Sequence, residues 1–87
     1  MNFALQLIND LKKKGVNFDI TGLYLSIHDN IPGTKISATK NNGLPIYISK
    51  DGQIKIDNNY RFEKGEKTSI IEYLKSFGYE NIKFISI

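Results

Sequence analysis

Residues 45–57 read PIYISKDGQIKID, and the turn at their centre decides how the chain folds. If Asp51 and Gly52 alone formed a two-residue loop, Lys50 would face Gln53 and Ile48 would face Lys55, setting an isoleucine beside a charge. A three-residue loop, Lys50-Asp51-Gly52, with a type I turn and Gly52 in the left-handed conformation, pairs Ile48 with Ile54 and Ile46 with Ile56. Only the second register keeps the four isoleucines on one face. The stretch is therefore expected to be a β-hairpin with one apolar and one polar side.

Upstream, KNNGL (40–44) supplies another glycine-ended turn. A loop Asn41-Asn42-Gly43 pairs Ala38 with Ile46 and Ile36 with Ile48, and DNIPGT (29–34) links Ile27 to Ile36 in a consistent register. Earlier still, Val16, Phe18 and Ile20 alternate, then Leu23, Leu25 and Ile27, with a parity change across Thr21-Gly22. Either Gly22 is a bulge or Thr21-Gly22 is a two-residue hairpin loop, pairing Ile20 with Leu23, Phe18 with Leu25 and Val16 with Ile27. The hairpin is the expected form. Pro45 has no amide donor, so its strand lies at an edge there or begins with an unpaired position. Beyond Asp57, Asn58-Asn59 weaken the alternation before Tyr60 and Phe62 resume it, which predicts a bent or interrupted strand.

Two helices flank this region. Phe3, Ala4, Leu7, Ile8 and Leu11 recur on one helical face over residues 3–14, with Asn2 as cap and Gly15 as stop. Lys12, Lys13 and Lys14 fall in the last turn, where the helix dipole favours cations, and a solvated helix end is the expected reading of that run. In KGEKTSIIEYLKSFG (64–78), Ser69 and Glu72 have capping-box spacing, Ile70, Ile71, Leu74 and Phe77 form the stripe, and Gly78 is the stop. INDLKKKG and IEYLKSFG share I-x-x-L-K-x-x-G, a likeness that helix-stop chemistry alone can produce. The last strand, 82–87, has apolar residues of both parities and is expected to be buried on both sides or bulged. The sum is one two-layer α+β domain over 1–87: an N-terminal helix, an antiparallel meander of four to five strands, a second helix and a C-terminal strand.

Composition narrows the function classes. A chain of 87 residues buries only about 60 to 65% of its unfolded surface, leaving little room for a deep, dry pocket. Cysteine is absent, which excludes a disulfide framework, a thiolate metal site and a cysteine nucleophile. His28 is the sole histidine and would need carboxylates to complete a metal site, so an ordinary surface histidine is expected. No phosphate-binding glycine loop, paired-carboxylate spacing or nucleophile motif is present, and no enzymatic activity, cofactor or metal is expected. The N-terminal stretch matches neither a secretory signal nor a membrane span, so a cytoplasmic protein with no membrane partner is expected. The net charge of +3 permits phosphate contact without the excess of a dedicated nucleic-acid tail. Isoleucine (14), asparagine (9) and lysine (11) are all encoded by A- and T-rich codons, pointing to a low-GC bacterium or one of its mobile elements.

With the isoleucine face covered by helices, the other face presents Tyr24, Thr39, Pro45 and Asp57 in one row, Ser26, Ser37, Tyr47 and Lys55 in the next, and His28, Lys35, Ser49 and Gln53 in the third. Hydroxyls leave backbone and rings accessible, and tyrosine buries much area at small entropic cost, so this face suits a macromolecular partner. Tyr24, His28, Lys35, Tyr47, Lys55 and Arg61 are the candidate contacts. Tyrosine with lysine also suits single-stranded nucleic acid. Ser, Thr and Tyr are equally what a solvated antiparallel sheet prefers, so an inert face is the competing reading. An unprotected sheet edge would invite a homodimer or strand addition.

In size, AT-rich composition and layout, with FALQLINDLKKKG (3–15) ahead of a meander whose turns are KNNGL and SKDGQ, the chain resembles the small inhibitors that phages and mobile elements use against bacterial defences, including anti-CRISPR proteins. The resemblance covers the outline of the whole chain and rests on no diagnostic motif. It implies a non-enzymatic protein that occupies a surface of a host protein or ribonucleoprotein complex. Inhibitors that imitate DNA are usually acidic, whereas this chain is basic, so the implied target is an acidic or nucleic-acid-facing surface. The alternative is a small nucleic-acid-binding module using the basic, tyrosine-bearing face.

Overall fold

In the computed structural model residues 3–22, 24–36, 43–49 and 52–86 are described. The elements are helix α1 (Phe3–Lys13), strands β1 (Phe18–Thr21), β2 (Tyr24–Ile27), β3 (Leu44–Ile48) and β4 (Ile54–Asp57), helix α2 (Glu66–Lys75) and strand β5 (Ile82–Ile85). They build a mixed α+β fold in which one five-stranded sheet, ordered β1-β2-β3-β4-β5, carries the core on one face. The first three junctions are antiparallel, and β4 pairs with β5 in parallel across the α2 crossover. Leu25 and Ile27 of β2, Leu44 and Ile46 of β3, and Ile54 and Ile56 of β4 meet Leu7 and Leu11 of α1 and Ile70 and Leu74 of α2, all buried.

The hairpin around Gly52 has the expected register, with Ile48 opposite Ile54 and Tyr47 opposite Lys55. Gly52 has φ of 85° and donates to the Ser49 carbonyl at 3.1 Å, while Ser49 N–H donates to the Gln53 carbonyl at 3.0 Å. The turn's Lys50 and Asp51 lie outside the described residues. Alternation from the hydrogen-bonded Ser49–Gln53 pair makes Pro45 face Asp57 at a position where a donor is needed and proline has none. The Asp57 carbonyl instead accepts Tyr60 N–H at 3.1 Å, and the strand stops there. Pro45 therefore sits in an interior strand at an unpaired position, and the bent-or-interrupted strand is interrupted.

The first hairpin keeps its face but not its register. Phe18 pairs with Ile27, Ile20 with Leu25 and Thr21 with Tyr24, so the connection is 22–23 rather than Thr21-Gly22. A shift of two residues leaves every side chain on its original side, and apolar alternation cannot distinguish the two registers. The segment around Ile36 differs more. β2 pairs directly with β3, placing Leu25 against Ile46 and Ile27 against Leu44, so no strand intervenes and Ile36 does not pair with Ile48. Ala38 and the Asn41-Asn42 turn lie outside the described residues. Ile31 and Ile36 instead enter the core from a connection braced by Thr34, whose Oγ1 donates to the Ile31 carbonyl at 2.8 Å and accepts Ile36 N–H at 3.2 Å.

Both helices end alike, and the shared I-x-x-L-K-x-x-G is the reason. In α1, Gly15 N–H donates to Lys12 and Val16 N–H to the Leu11 carbonyl; in α2, Gly78 N–H donates to Lys75 and Tyr79 N–H to the Leu74 carbonyl. Each is the paired 5→2 and 6→1 closure of a Schellman stop, with a buried leucine as the outer acceptor. The start of α2 departs from expectation. Gly65 is its N-cap, Ser69 lies inside the helix, and Glu66 rather than a Ser69–Glu72 box serves the first turn. Asn2, the expected cap of α1, lies outside the described residues. In β5, Ile82 and Phe84 face the core while Ile85 lies opposite Asp57 on the other face, so the strand is only partly buried.

Tyr79 ties the end of α2 to α1 by donating to Asp10 Oδ2 at 2.6 Å. Burial first, then the hydrogen bond and charge of Asp10, push its phenol well above the usual tyrosine value. The native state thus keeps a proton that the unfolded chain releases near pH ~10. The corresponding stability is intact below that pH and falls as pH rises through it toward the folded value. Burial also raises Tyr60, helped by Glu66, and Tyr73, helped by Asp29, with the same sign. Urea midpoints measured from about pH 8 to about pH 11.5 are expected to decline, and less steeply in Tyr79→Phe. An unchanged alkaline slope in that variant would show that Tyr79 holds no extra proton.

Candidate sheet-face binding site

The face opposite the core is built by strand parity alone. Residues flanked by side chains packed on the core point away from it, so IKI (54–56), between buried isoleucines, and IKF (82–84), between half-buried Ile82 and Phe84, each aim a lysine outward. Registers then place Thr21, Tyr24, Tyr47, Lys55 and Lys83 side by side, one per strand, in a single row across the sheet. The Tyr24 and Tyr47 rings contact with centroids 5.4 Å apart and planes tilted by 41°. Lys55 faces Lys83 directly. Like charges opposite each other on neighbouring strands are destabilising, and among the described residues no carboxylate is within ion-pair distance of either ammonium. The row thus runs from a hydroxyl through two half-buried rings to two adjacent cations.

A second row flanks it: Asp19 opposite Ser26, Ser26 opposite Pro45, and Asp57 opposite Ile85. Ser26 is buried because larger neighbours shade it, and it offers no accessible nucleophile. His28 Nε2 meets Asp19 Oδ2 at 2.9 Å, and the opposite edge of the ring lies against Gly43. Neither ring nitrogen is directed at Ser26, so Asp19, Ser26 and His28 form no proton relay. Asp29 accepts Asn17 N–H at 3.0 Å, and Asp57 accepts Asn59 N–H at 2.9 Å in a turn. These acids have local structural partners. Among the described residues no group of three metal-ligating side chains converges, and no helix is long and apolar enough to cross a membrane.

The six expected contacts separate. Tyr24, Tyr47 and Lys55 come together in the central row, and His28 lies on the same face, engaged with Asp19. Lys35 is not a sheet residue: its N–H donates to Glu66 Oε2 at 2.8 Å and its Nζ reaches Glu63 at the start of α2. Arg61 is exposed in the connection between β4 and α2. Ser37 and Thr39 lie outside the described residues, and with β2 directly against β3 the rows shift so that Tyr24 neighbours Tyr47. Lys83 and Thr21 are face residues that the alternation of the meander did not supply, whereas Asp19, between Phe18 and Ile20, follows from it. The signal for Lys83 was present, because a strand–helix–strand unit implies a parallel neighbour and IKF repeats the IKI pattern.

The lysines at the end of α1 are exposed, and Lys14 Nζ lies 5.7 Å from the centroid of Phe77, which makes that turn part of the packing between the helices. Comparison of the chain with family models, with curated proteins and with solved structures gives no match.

Proposed function

We propose that this is a non-enzymatic binding protein that uses the open face of its sheet to occupy an anionic surface of a larger host complex, in the manner of the small anti-defence inhibitors it resembles. The observation that carries the reading is the Lys55–Lys83 pair beside the Tyr24–Tyr47 rings. An uncompensated pair of like charges is retained at a cost to the sheet, and such departures from local consistency are expected where a surface serves recognition. An acidic protein surface, or one bearing RNA, would relieve that repulsion while the rings supply buried area. The setting is the cytoplasm of a bacterial host, and the inhibitory role rests on the resemblance in size, composition and layout.

The ring pair favours a second reading, a platform for single-stranded nucleic acid, because bases stack on aromatic faces for about 1 to 3 kcal/mol each. Capture on immobilised protein from a low-GC host carrying active defence systems, with and without nuclease, separates the two. A stoichiometric protein partner that survives nuclease, and is lost with Lys55→Glu/Lys83→Glu but kept with Lys12→Glu, is the expected result. Affinity for the partner should fall by about tenfold or more in the double variant and by a similar factor in Tyr47→Ala. Recovery of nucleic acid alone, with affinity falling steeply with salt, would give the face to the second reading. Retention of the partner by the double variant would remove the face from both.

A further inference from the structure

The edge formed by β1 stands apart from the sheet face. Asn17 and His28 are a hydrogen-bonded pair, His28 N–H donating to the Asn17 carbonyl at 2.8 Å. Antiparallel alternation then turns the backbone groups of Asp19 and Thr21 toward β2 and those of Phe18 and Ile20 outward, to an edge that no other described strand covers. Its protection is slight: the strand is short and carries Asp19, but it contains no proline or lysine, and its Ile20 is 55% exposed. Ile20 also walls a recess of about 120 Å³, lined besides by Gly22 and Tyr24 at the turn and by Ala4, Ile8, Ile46 and Ile48 toward the core. An apolar side chain beside an apolar recess, above unsatisfied strand backbone, fits an added strand.

We infer that the added strand is β1 of a second copy, paired antiparallel about a two-fold axis at Ile20. The register follows by elimination. Outward-facing groups must meet outward-facing groups, and a centre beyond Ile20 would leave only Thr21 of β1 opposite β1, so the choices are Phe18 against Phe18, Phe18 against Ile20, or Ile20 against Ile20. The first would draw Val16 into the pairing, but Val16 N–H is already spent on the Leu11 carbonyl at the end of α1. The second sets Asp19 opposite Asp19 on the axis, like charge against like charge. The third sets Ile20 on Ile20, Asp19 beside the Thr21 hydroxyl, and the Phe18 ring beside Gly22, an edge glycine that an aromatic neighbour covers well. In that register each Ile20 is buried by its twin at the mouth of the recess, and two sheets become one with their open faces on the same side. This inference stands on the edge and not on the proposed partner of the sheet face.

A contact of one short strand is small, so the dimer is expected to assemble and dissociate across the micromolar range. Sedimentation velocity of the full chain should show its mass doubling with concentration. Ile20→Lys should hold the mass at the monomer value with an unchanged circular dichroism spectrum, because the side chain is exposed in the monomer. In this cysteine-free chain, Ile20→Cys should oxidise to a disulfide-linked dimer, its partners lying within bridging distance across the axis. Thr21→Cys, which faces Asp19 in this register, should cross-link far less. A wild-type monomer throughout the range, a dimer that survives Ile20→Lys, or equal cross-linking of the two cysteine variants would each overturn the inference.

Discussion

Glu66→Ala is expected to destabilise the fold by about 2 to 5 kcal/mol, a large share of what a domain this small can hold. Glu66 is 4% exposed, yet its carboxylate is fully engaged: Oε1 accepts Glu63 N–H at 2.6 Å and Oε2 accepts Lys35 N–H at 2.8 Å. One bond closes the turn that leads into α2, and at the first helical position the dipole favours the negative charge of Glu66. The other fixes the connection that delivers Ile31 and Ile36 to the core. Alanine removes both acceptors, and a hydrogen bond to a charged group contributes about 1.5 to 3 kcal/mol, less where the donor sits on an exposed residue as Lys35 and Glu63 do. Glu66→Gln separates charge and shape from hydrogen bonding, since an amide keeps the volume but sets an NH2 group against one of the two N–H donors. It should fall between wild type and alanine. Denaturant midpoints and amide exchange at Lys35 and Glu63 are the measurements, and wild-type protection of those amides in Glu66→Ala would show that water replaces the carboxylate without loss.

The same carboxylate explains where sequence reading stopped. Lys35-Ile36 continues a period of two and reads as a strand, but the partner that claims the Lys35 amide is 31 residues away, and no local pattern announces it. The β3–β4 register was legible because four isoleucines around a glycine turn leave one arrangement with a single apolar face. Helix ends were legible because a Schellman stop is local chemistry, a leucine carbonyl and a glycine a few residues apart. The first hairpin was half legible: its face followed from parity, its register did not, because slipping by two changes no side chain's side. For the candidate site this mattered directly. Direct contact of β2 with β3 is what brings Tyr24 to Tyr47, and the parallel crossover is what brings Lys83 to Lys55, so the row exists only through pairings that the alternation left open.

Gly43→Ala is the companion test, directed at the junction on which that direct β2–β3 contact depends. Gly43 has φ of 80°, and a Cβ there would meet the Ile27 carbonyl oxygen at 2.5 Å and His28 Nδ1 at 2.9 Å. Left-handed backbone costs an L-residue about 1 to 2 kcal/mol, and overpacking against a carbonyl fixed in an interior strand adds about 1 to 3 kcal/mol. A loss of about 2 to 5 kcal/mol is therefore expected. Gly15→Ala isolates the first contribution, because Gly15 has φ of 69° and nothing within 4 Å of its Cβ position. The difference between the two variants measures the collision alone, and equal losses would show that β3 moves aside freely. Proton spectra should report the rest: the His28 ring leaves Asp19 and Tyr60 Oη loses its 3.0 Å bond to the Gly43 carbonyl. Tyr47, Lys55 and Lys83 lie at the far end of their strands from this junction. At temperatures where the variant remains folded, a partner held by the central row should bind it nearly as well as wild type, whereas one that needs His28 should not.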